Sequence, residues 1–193
     1  MKAQNGYDFP MLVPAYCSHC GAPTVTRIPD GDHLPRQICE ACGVVHYQNP
    51  RIVVGCVPDH DGKILICRRA IEPRLGYWTI PAGFLENGET LEQGAARECL
   101  EEAMAEVRIG SLLALVNIPQ AHQVHVFFRA RLPLPVHAAG AESLETALVE
   151  AADIPWADIA FPSTRYALER YLADRSAGVE GHHLTEMSRR MAE

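Results

Sequence analysis

The chain has 193 residues, 48% of them hydrophobic and 21% charged, the balance of a globular protein with room for one ordinary domain and a small accessory module. A net charge of −7 argues against nucleic acid as a main partner, because phosphate backbones attract basic surfaces, although a small phosphorylated molecule stays open wherever a metal ion supplies positive charge. No apolar signal core follows Met1, and no apolar run approaches the roughly 20 residues of a membrane span, so the expectation is a cytoplasmic protein without membrane contact.

Residues 1–48 read as a zinc-binding module. Cys17-Ser-His-Cys20 and Cys39-Glu-Ala-Cys42 form two C-x-x-C pairs at a separation suited to paired knuckles, each followed by a glycine, Gly21 or Gly43. Four thiolates close a tetrahedral shell and leave no open position for a water nucleophile, so the Zn²⁺ they imply is structural. His19, His33 and His46 are surplus to those ligands and read as surface or hydrogen-bonding residues. Cys56, Cys67 and Cys99 fall on apolar faces, as buried small hydrophobes do.

A larger domain is expected over residues 49–175. Arg51–Val57 and Lys63–Cys67 are β-branched and apolar on either side of Asp59-His-Asp-Gly62, which predicts a hairpin. Residues 70–89 are rich in Pro and Gly and read as loop around a short Tyr77–Ile80 strand. Thr90 then caps a helix, with Gln93 completing a capping box and Leu91, Ala95, Cys99 and Ala103 recurring every fourth residue toward a core. Strands follow near Gly110–Asn117 and Gln123–Leu132. Leu144–Ala151 is a strand or a short helix, and the pattern does not decide. Ser163–Asp174 has helical spacing with Ser163 as cap. Residues 176–193 read as a polar, loosely ordered tail.

The chemistry concentrates on the helix after Thr90. Glu98, Glu101 and Glu102 stand at i, i+3 and i+4 and project from one face, where like charges repel. A solvated acidic face is the ordinary explanation of such a cluster. Here a loop with Pro81, Gly83 and Gly88 feeds the capped helix directly, and hard cations such as Mg²⁺ seek carboxylate oxygens in such a place. Gly83, Glu89, Arg97, Glu98, Glu101 and Glu102 match the pattern G-x5-E-x7-R-E-U-x-E-E-x-G-U, in which U is a bulky aliphatic residue, and the chain resembles the Nudix hydrolase family. Met104 stands at the late Gly, and small Cys99 and Ala105 at aliphatic positions. The cysteine module, His46-Tyr-Gln-Asn-Pro50, Arg68–Arg74 and Gly76–Gly83 extend the likeness to a zinc-ribbon subgroup that includes FAD and ADP-ribose pyrophosphatases.

The resemblance implies an α/β fold, an α/β/α sandwich around a mixed sheet behind the ribbon. It implies a pyrophosphohydrolase that splits a nucleoside diphosphate linked to another moiety and releases a nucleoside monophosphate. FAD or ADP-ribose ranks first and NADH next, since the S-Q-P-W-P-F-P stretch of NADH pyrophosphatases is absent. By the same likeness Glu98, Glu101 and Glu102 hold Mg²⁺ or Mn²⁺, with the Gly83 carbonyl as a further ligand, and Arg97 and Glu89 brace the loop against the helix. Glu142 or Glu145, in a later loop, is the candidate general base, with Glu142 preferred. Arg51, Arg69 and Arg74 are candidates for phosphate contact, and Tyr77 or Trp78 for stacking on a ring. Gln123 and His125 share one strand face, toward either a cleft or solvent. A homodimer is the expected assembly. The competing reading is a non-catalytic nucleotide-sensing or nucleic-acid-binding regulator; it predicts a damaged carboxylate helix and a basic ribbon, and neither is present.

Overall fold

The computed structural model describes residues 13–187; residues 1–12 of the expected ribbon module and 188–193 of the expected tail lie outside the described residues. The chain divides into two compact units, one over Phe9–Pro50 and one built by the chain from Arg51 onward. In the first, β1 (Thr24–Arg27), β2 (Arg36–Cys39) and β3 (Val45–His46) form a small antiparallel sheet in that order. Asp32 accepts from the backbone N–H groups of His33 and Leu34 and pairs with Arg36 at 2.9 Å, which closes the loop between β1 and β2.

The second unit is organised by β4 (Arg51–His60), whose alternating apolar residues serve two faces. It pairs with β5 (Lys63–Arg69) across the Asp61–Gly62 turn and, on its other side, in parallel with β9 (Gln123–Arg131). Strand β8 (Arg108–Ile118) is antiparallel to β9, and β10 (Ser143–Val149) lies antiparallel on β5. Short strands β6 (Trp78–Thr79) and β7 (Ala82–Phe84) pair with β5 and β4. Helix α1 (Leu91–Ala103) buries Ala95, Cys99 and Ala103 against Val54, Cys56, Leu65, Cys67, Val126 and Phe128. Helix α2 (Pro162–Ala177) covers the opposite face, where Ser163 meets His125 and Asp174 meets Arg129. The result is a mixed sheet between helices. No helix of the described residues is long and apolar enough to cross a membrane.

Three expectations change. The undecided segment after residue 143 is a strand, because its backbone completes the free edge of β5 over Ser143–Val149. Ser163 does not cap α2: Phe161 is the N-cap and Pro162 supplies a pre-set first turn, so Ser163 is released to be fully buried against His125. The segment read as a loose tail instead continues α2 to Ala177 and adds β11 (His183–Glu186) in parallel to β8, anchored by His183 to the Asp174 carboxylate at 3.0 Å.

The Thr90–Gln93 capping box forms at the start of α1 as expected. At its far end Met104, the residue in place of the late Gly, closes the helix with φ 50° and is 55% exposed. A side chain in the left-handed region costs on the order of 1 kcal/mol that glycine does not incur. Met104→Gly is therefore expected to raise stability by about 1 kcal/mol in a denaturant melt; a lower midpoint would mean that the Met side chain contributes packing that outweighs the strain.

Candidate active site

The site is assembled by β7 and α1. Gly83 lies on β7 directly against Glu98, and a Cβ there would overlap the Glu98 carboxylate, so any other residue would push that carboxylate out of its place. Arg97 holds the corner together. Its guanidinium donates to both Glu89 oxygens at 2.7 and 3.0 Å, to the Phe84 carbonyl at 3.0 Å, and to Glu98 and Glu101 at 2.7 and 3.0 Å. Glu89 also accepts from the Glu86 N–H at 2.7 Å, and with Arg97 this holds its carboxyl down at about 2. Such a bidentate, multiply shared arginine fixes loop and helix in one geometry.

Glu98 and Glu102 are 8% and 6% exposed, whereas Glu101 faces solvent. Burial pushes the Glu102 carboxyl up to about 8 despite a 3.1 Å hydrogen bond from the Ala82 N–H, and burial also raises Glu98. Two desolvated carboxylates on one helix face are costly unless positive charge meets them. Arg97 compensates Glu98 but does not reach Glu102. The oxygen-only donor set, the close approach of Gly83 and the desolvated carboxylates, with Glu102 countered in part by Arg69, fit a hard divalent cation.

A second loop closes on the same helix. Ala138 and Gly140 donate their N–H groups to the Ala103 and Glu102 carbonyls at 2.9 and 3.0 Å, and a Cβ on Gly140 would overlap the Glu101 carbonyl. This docking brings Glu142 within electrostatic range of Glu98, Glu102 and Arg69. Glu145, the other candidate base, is drawn away into an exposed ion pair with Arg68 at 2.9 Å. Arg69 is partly buried, its guanidinium lowered by that burial and countered by Glu102 and Glu142. It lies 5.1 Å from the Phe161 ring centroid and donates to the Pro73 carbonyl at 2.9 Å. Arg51 stacks on Phe84, next to Gly83, at 4.5 Å. Arg74 and Tyr77 instead stack on each other at 5.2 Å within the 70–77 loop. Trp78 is half-buried on β6 and accepts from the Ala160 N–H. Sequence reasoning passed over Gly140 and Phe161. A glycine two residues before Glu142 was the available signal for the first, whereas Phe161 meets Arg69 only through the fold.

Gln123 and His125 face neither cleft nor solvent. They are 5% and 6% exposed, with His125 Nε2 2.9 Å from Gln123 Oε1 and Nδ1 3.0 Å from Ser163 Oγ. Burial lowers His125 to about 4. The folded protein thus refuses a proton that the unfolded chain accepts near pH 6.5, so stability is complete above about pH 6.5 and declines as the pH falls toward 4, by about 3 kcal/mol. His125→Asn is expected to flatten that decline in thermal melts between pH 7 and 5; an unchanged pH profile would assign the decline to other groups.

In the ribbon unit the four thiols of Cys17, Cys20, Cys39 and Cys42 have sulfur atoms all within 4.8 Å of one another. The two knuckles repeat one pattern: Gly21 and Gly43, both at positive φ, donate to the Cys17 and Cys39 carbonyls at 2.9 and 2.8 Å. Burial of Cys39 is outweighed by backbone N–H donation from Cys42 and Ala41 and by the neighbouring thiols, which brings it down to about 7. A readily formed thiolate within four converging sulfurs suits Zn²⁺. His46 takes no place in that group of four sulfurs.

The model of the NUDIX domain matches residues 49–171, and the Nudix N-terminal zinc-ribbon model matches residues 15–48. The chain belongs to the Nudix family. A crystal structure of a NUDIX hydrolase from Nitrosomonas europaea superposes with a TM-score of 0.88 at 49% identity, covering 90% of this chain and 99% of that one. The NAD-capped RNA hydrolase NudC of Stutzerimonas stutzeri is 31% identical over 83% of this chain and 56% of its own. The ADP-ribose pyrophosphatase of Methanocaldococcus jannaschii is 33% identical over 42% of this chain and 51% of its own. This Nudix chain thus spans about half the length of those two curated relatives.

Proposed function

We propose that the protein is a divalent-cation-dependent pyrophosphohydrolase that cleaves a nucleoside diphosphate linked to another moiety, ADP-ribose or FAD before NADH, and releases a nucleoside monophosphate. The observation that carries this reading is the pair of nearly buried carboxylates, Glu98 and Glu102, on a helix face locked to its loop by the Arg97–Glu89 pair. Glu98, Glu101 and Glu102 would hold Mg²⁺ or Mn²⁺, with the Gly83 carbonyl beside them. Bound there, such an ion offsets negative charge on phosphate oxygens and lowers the pKa of water.

The remaining work falls to the chain's own groups. Arg97 keeps loop and helix in register, so that the carboxylates need not reorganise when substrate arrives. Arg69, held between Phe161 and the acidic cluster, offers a guanidinium to a phosphate, as does Arg51 beside Gly83. Glu142, brought in by the loop docked on the end of α1, accepts the proton of the attacking water. The four thiols hold a structural Zn²⁺, and the protein is a cytoplasmic homodimer, whose dimeric state light scattering on the purified protein tests. The name of the Methanocaldococcus relative favours ADP-ribose, while the NudC names give NAD-type substrates a place in the assay.

Purified protein with Mg²⁺ or Mn²⁺ is expected to convert ADP-ribose to AMP and ribose 5-phosphate, or FAD to AMP and FMN, faster than NADH, NAD⁺, diadenosine polyphosphates or nucleoside triphosphates, as read by HPLC. Zinc-loaded, folded protein that turns over none of these would contradict the reading and favour a nucleotide-sensing module.

A further inference from the structure

A concavity lies on the side of the sheet opposite to α1 and its glutamates. On the face of the sheet that carries α2, three charged residues stand in register across adjacent strands: Asp59 on β4, Arg131 on β9 and Arg108 on β8. Asp59 is committed, accepting from the Gly62 N–H at 3.0 Å and from Arg175 at 3.1 Å. Arg129, two residues before Arg131, is also committed, to Asp174 and to the Leu112 and Gly181 carbonyls. Among the described residues Arg108 and Arg131 have no such partner for their side chains. They are exposed like charges directly opposite each other on paired strands, an arrangement that an anion between them would relieve. Both line a concavity of about 370 Å³, together with Ser111, Tyr171, Asp61 and Glu180.

We propose that this concavity is a second ligand site for a phosphomonoester of a hydroxylated small molecule, with a sugar phosphate as its simplest form. Two guanidinium forks suit a phosphate dianion better than a single carboxylate. The volume exceeds what bare phosphate fills and lies at the small end of ligand sites. Asp61 and Glu180 also line the concavity and repel additional phosphates; Glu180 accepts from Ser111 at 2.7 Å, which leaves oxygens of both carboxylates for sugar hydroxyls, and the Tyr171 ring gives the sugar an apolar wall. Since α1 packs on the other face, this site and the acidic cluster are separated by the sheet, and binding here needs no divalent cation.

Isothermal titration of the full chain without added Mg²⁺ or Mn²⁺ tests the proposal and is independent of the proposed hydrolysis. Ribose 5-phosphate is expected to bind at least tenfold more tightly than inorganic phosphate or ribose alone. Arg108→Ser and Arg131→Ser are each expected to weaken it tenfold or more while the Mg²⁺-dependent hydrolysis of ADP-ribose persists. Equal affinity in both variants, or no heat from wild type at roughly 10 mM ligand, overturns the site. Amide chemical-shift changes on wild-type protein serve where a variant does not fold: changes centred on Ser111 and Tyr171 support the site, and changes confined to α1 and residues 82–84 overturn it.

Discussion

Glu101→Gln combined with Glu102→Gln is expected to lower kcat by at least a thousandfold, about 4 kcal/mol of transition-state stabilisation, without unfolding the protein. Gln preserves the shape of both side chains, and at position 102 its amide oxygen still accepts the Ala82 N–H that Glu102 accepts at 3.1 Å. What disappears is charge. Glu102 sits 6% exposed with its carboxyl raised to about 8, above the ordinary value of an unfolded chain. Without a divalent cation, that group costs stability progressively as the pH rises from about 4.5 to about 8, because the unfolded chain gives up its proton first. The double variant is therefore expected to melt at the same temperature as wild type near pH 5 and higher at pH 8, while Mg²⁺ or Mn²⁺ no longer raises its Tm. Full turnover in the folded variant would sink the role given to the carboxylates; a collapsed Tm would make them structural.

The second large effect belongs to the ribbon. Cys39→Ser removes one of four sulfurs that lie within 4.8 Å of one another, at a residue with no exposed surface. The small three-stranded sheet of this unit offers little apolar core, with Cys17, Ile38 and Cys39 as its buried hydrophobic residues among those described. Metal binding at those sulfurs, on the order of 10 kcal/mol, would then be the main source of its folding free energy. The variant is expected to lose stoichiometric zinc by mass spectrometry of the metal content and to be cut within residues 13–50 by limited proteolysis. Wild-type zinc content together with wild-type protease resistance would refute the structural role. Cys56→Ser, a buried thiol outside the cluster, keeps the zinc and serves as the control.

What the sequence revealed and what it concealed follow from the range of the interactions. The carboxylate face, the capping box and the C-x-x-C pairs are written in spacings of two to four residues, which local geometry converts directly into shared faces and turns. Local spacing gives no physical ground for the preference for Glu142 over Glu145. What separates the two in the structure is Gly140 meeting the end of α1 and Arg68 pairing with Glu145, contacts between segments about 40 and 77 residues apart. Ser163 reads as a helix cap from its neighbours alone, yet it serves His125 from 38 positions away. The polar segment after residue 176 has no strand pattern, and β11 forms because β8 offers an open edge and Asp174 a carboxylate for His183. In each case a tertiary partner overrode a local preference.

The most direct test of pyrophosphate hydrolysis at this site is isotopic: ADP-ribose and Mg²⁺ are incubated with the protein in ¹⁸O-labelled water, and the products are weighed by mass spectrometry. One ¹⁸O per turnover in either AMP or ribose 5-phosphate, with none incorporated by the Glu101→Gln, Glu102→Gln variant, is expected of water attack on one phosphorus. Turnover without label in either phosphate, or equal labelling by the variant, would contradict hydrolysis by the carboxylate helix.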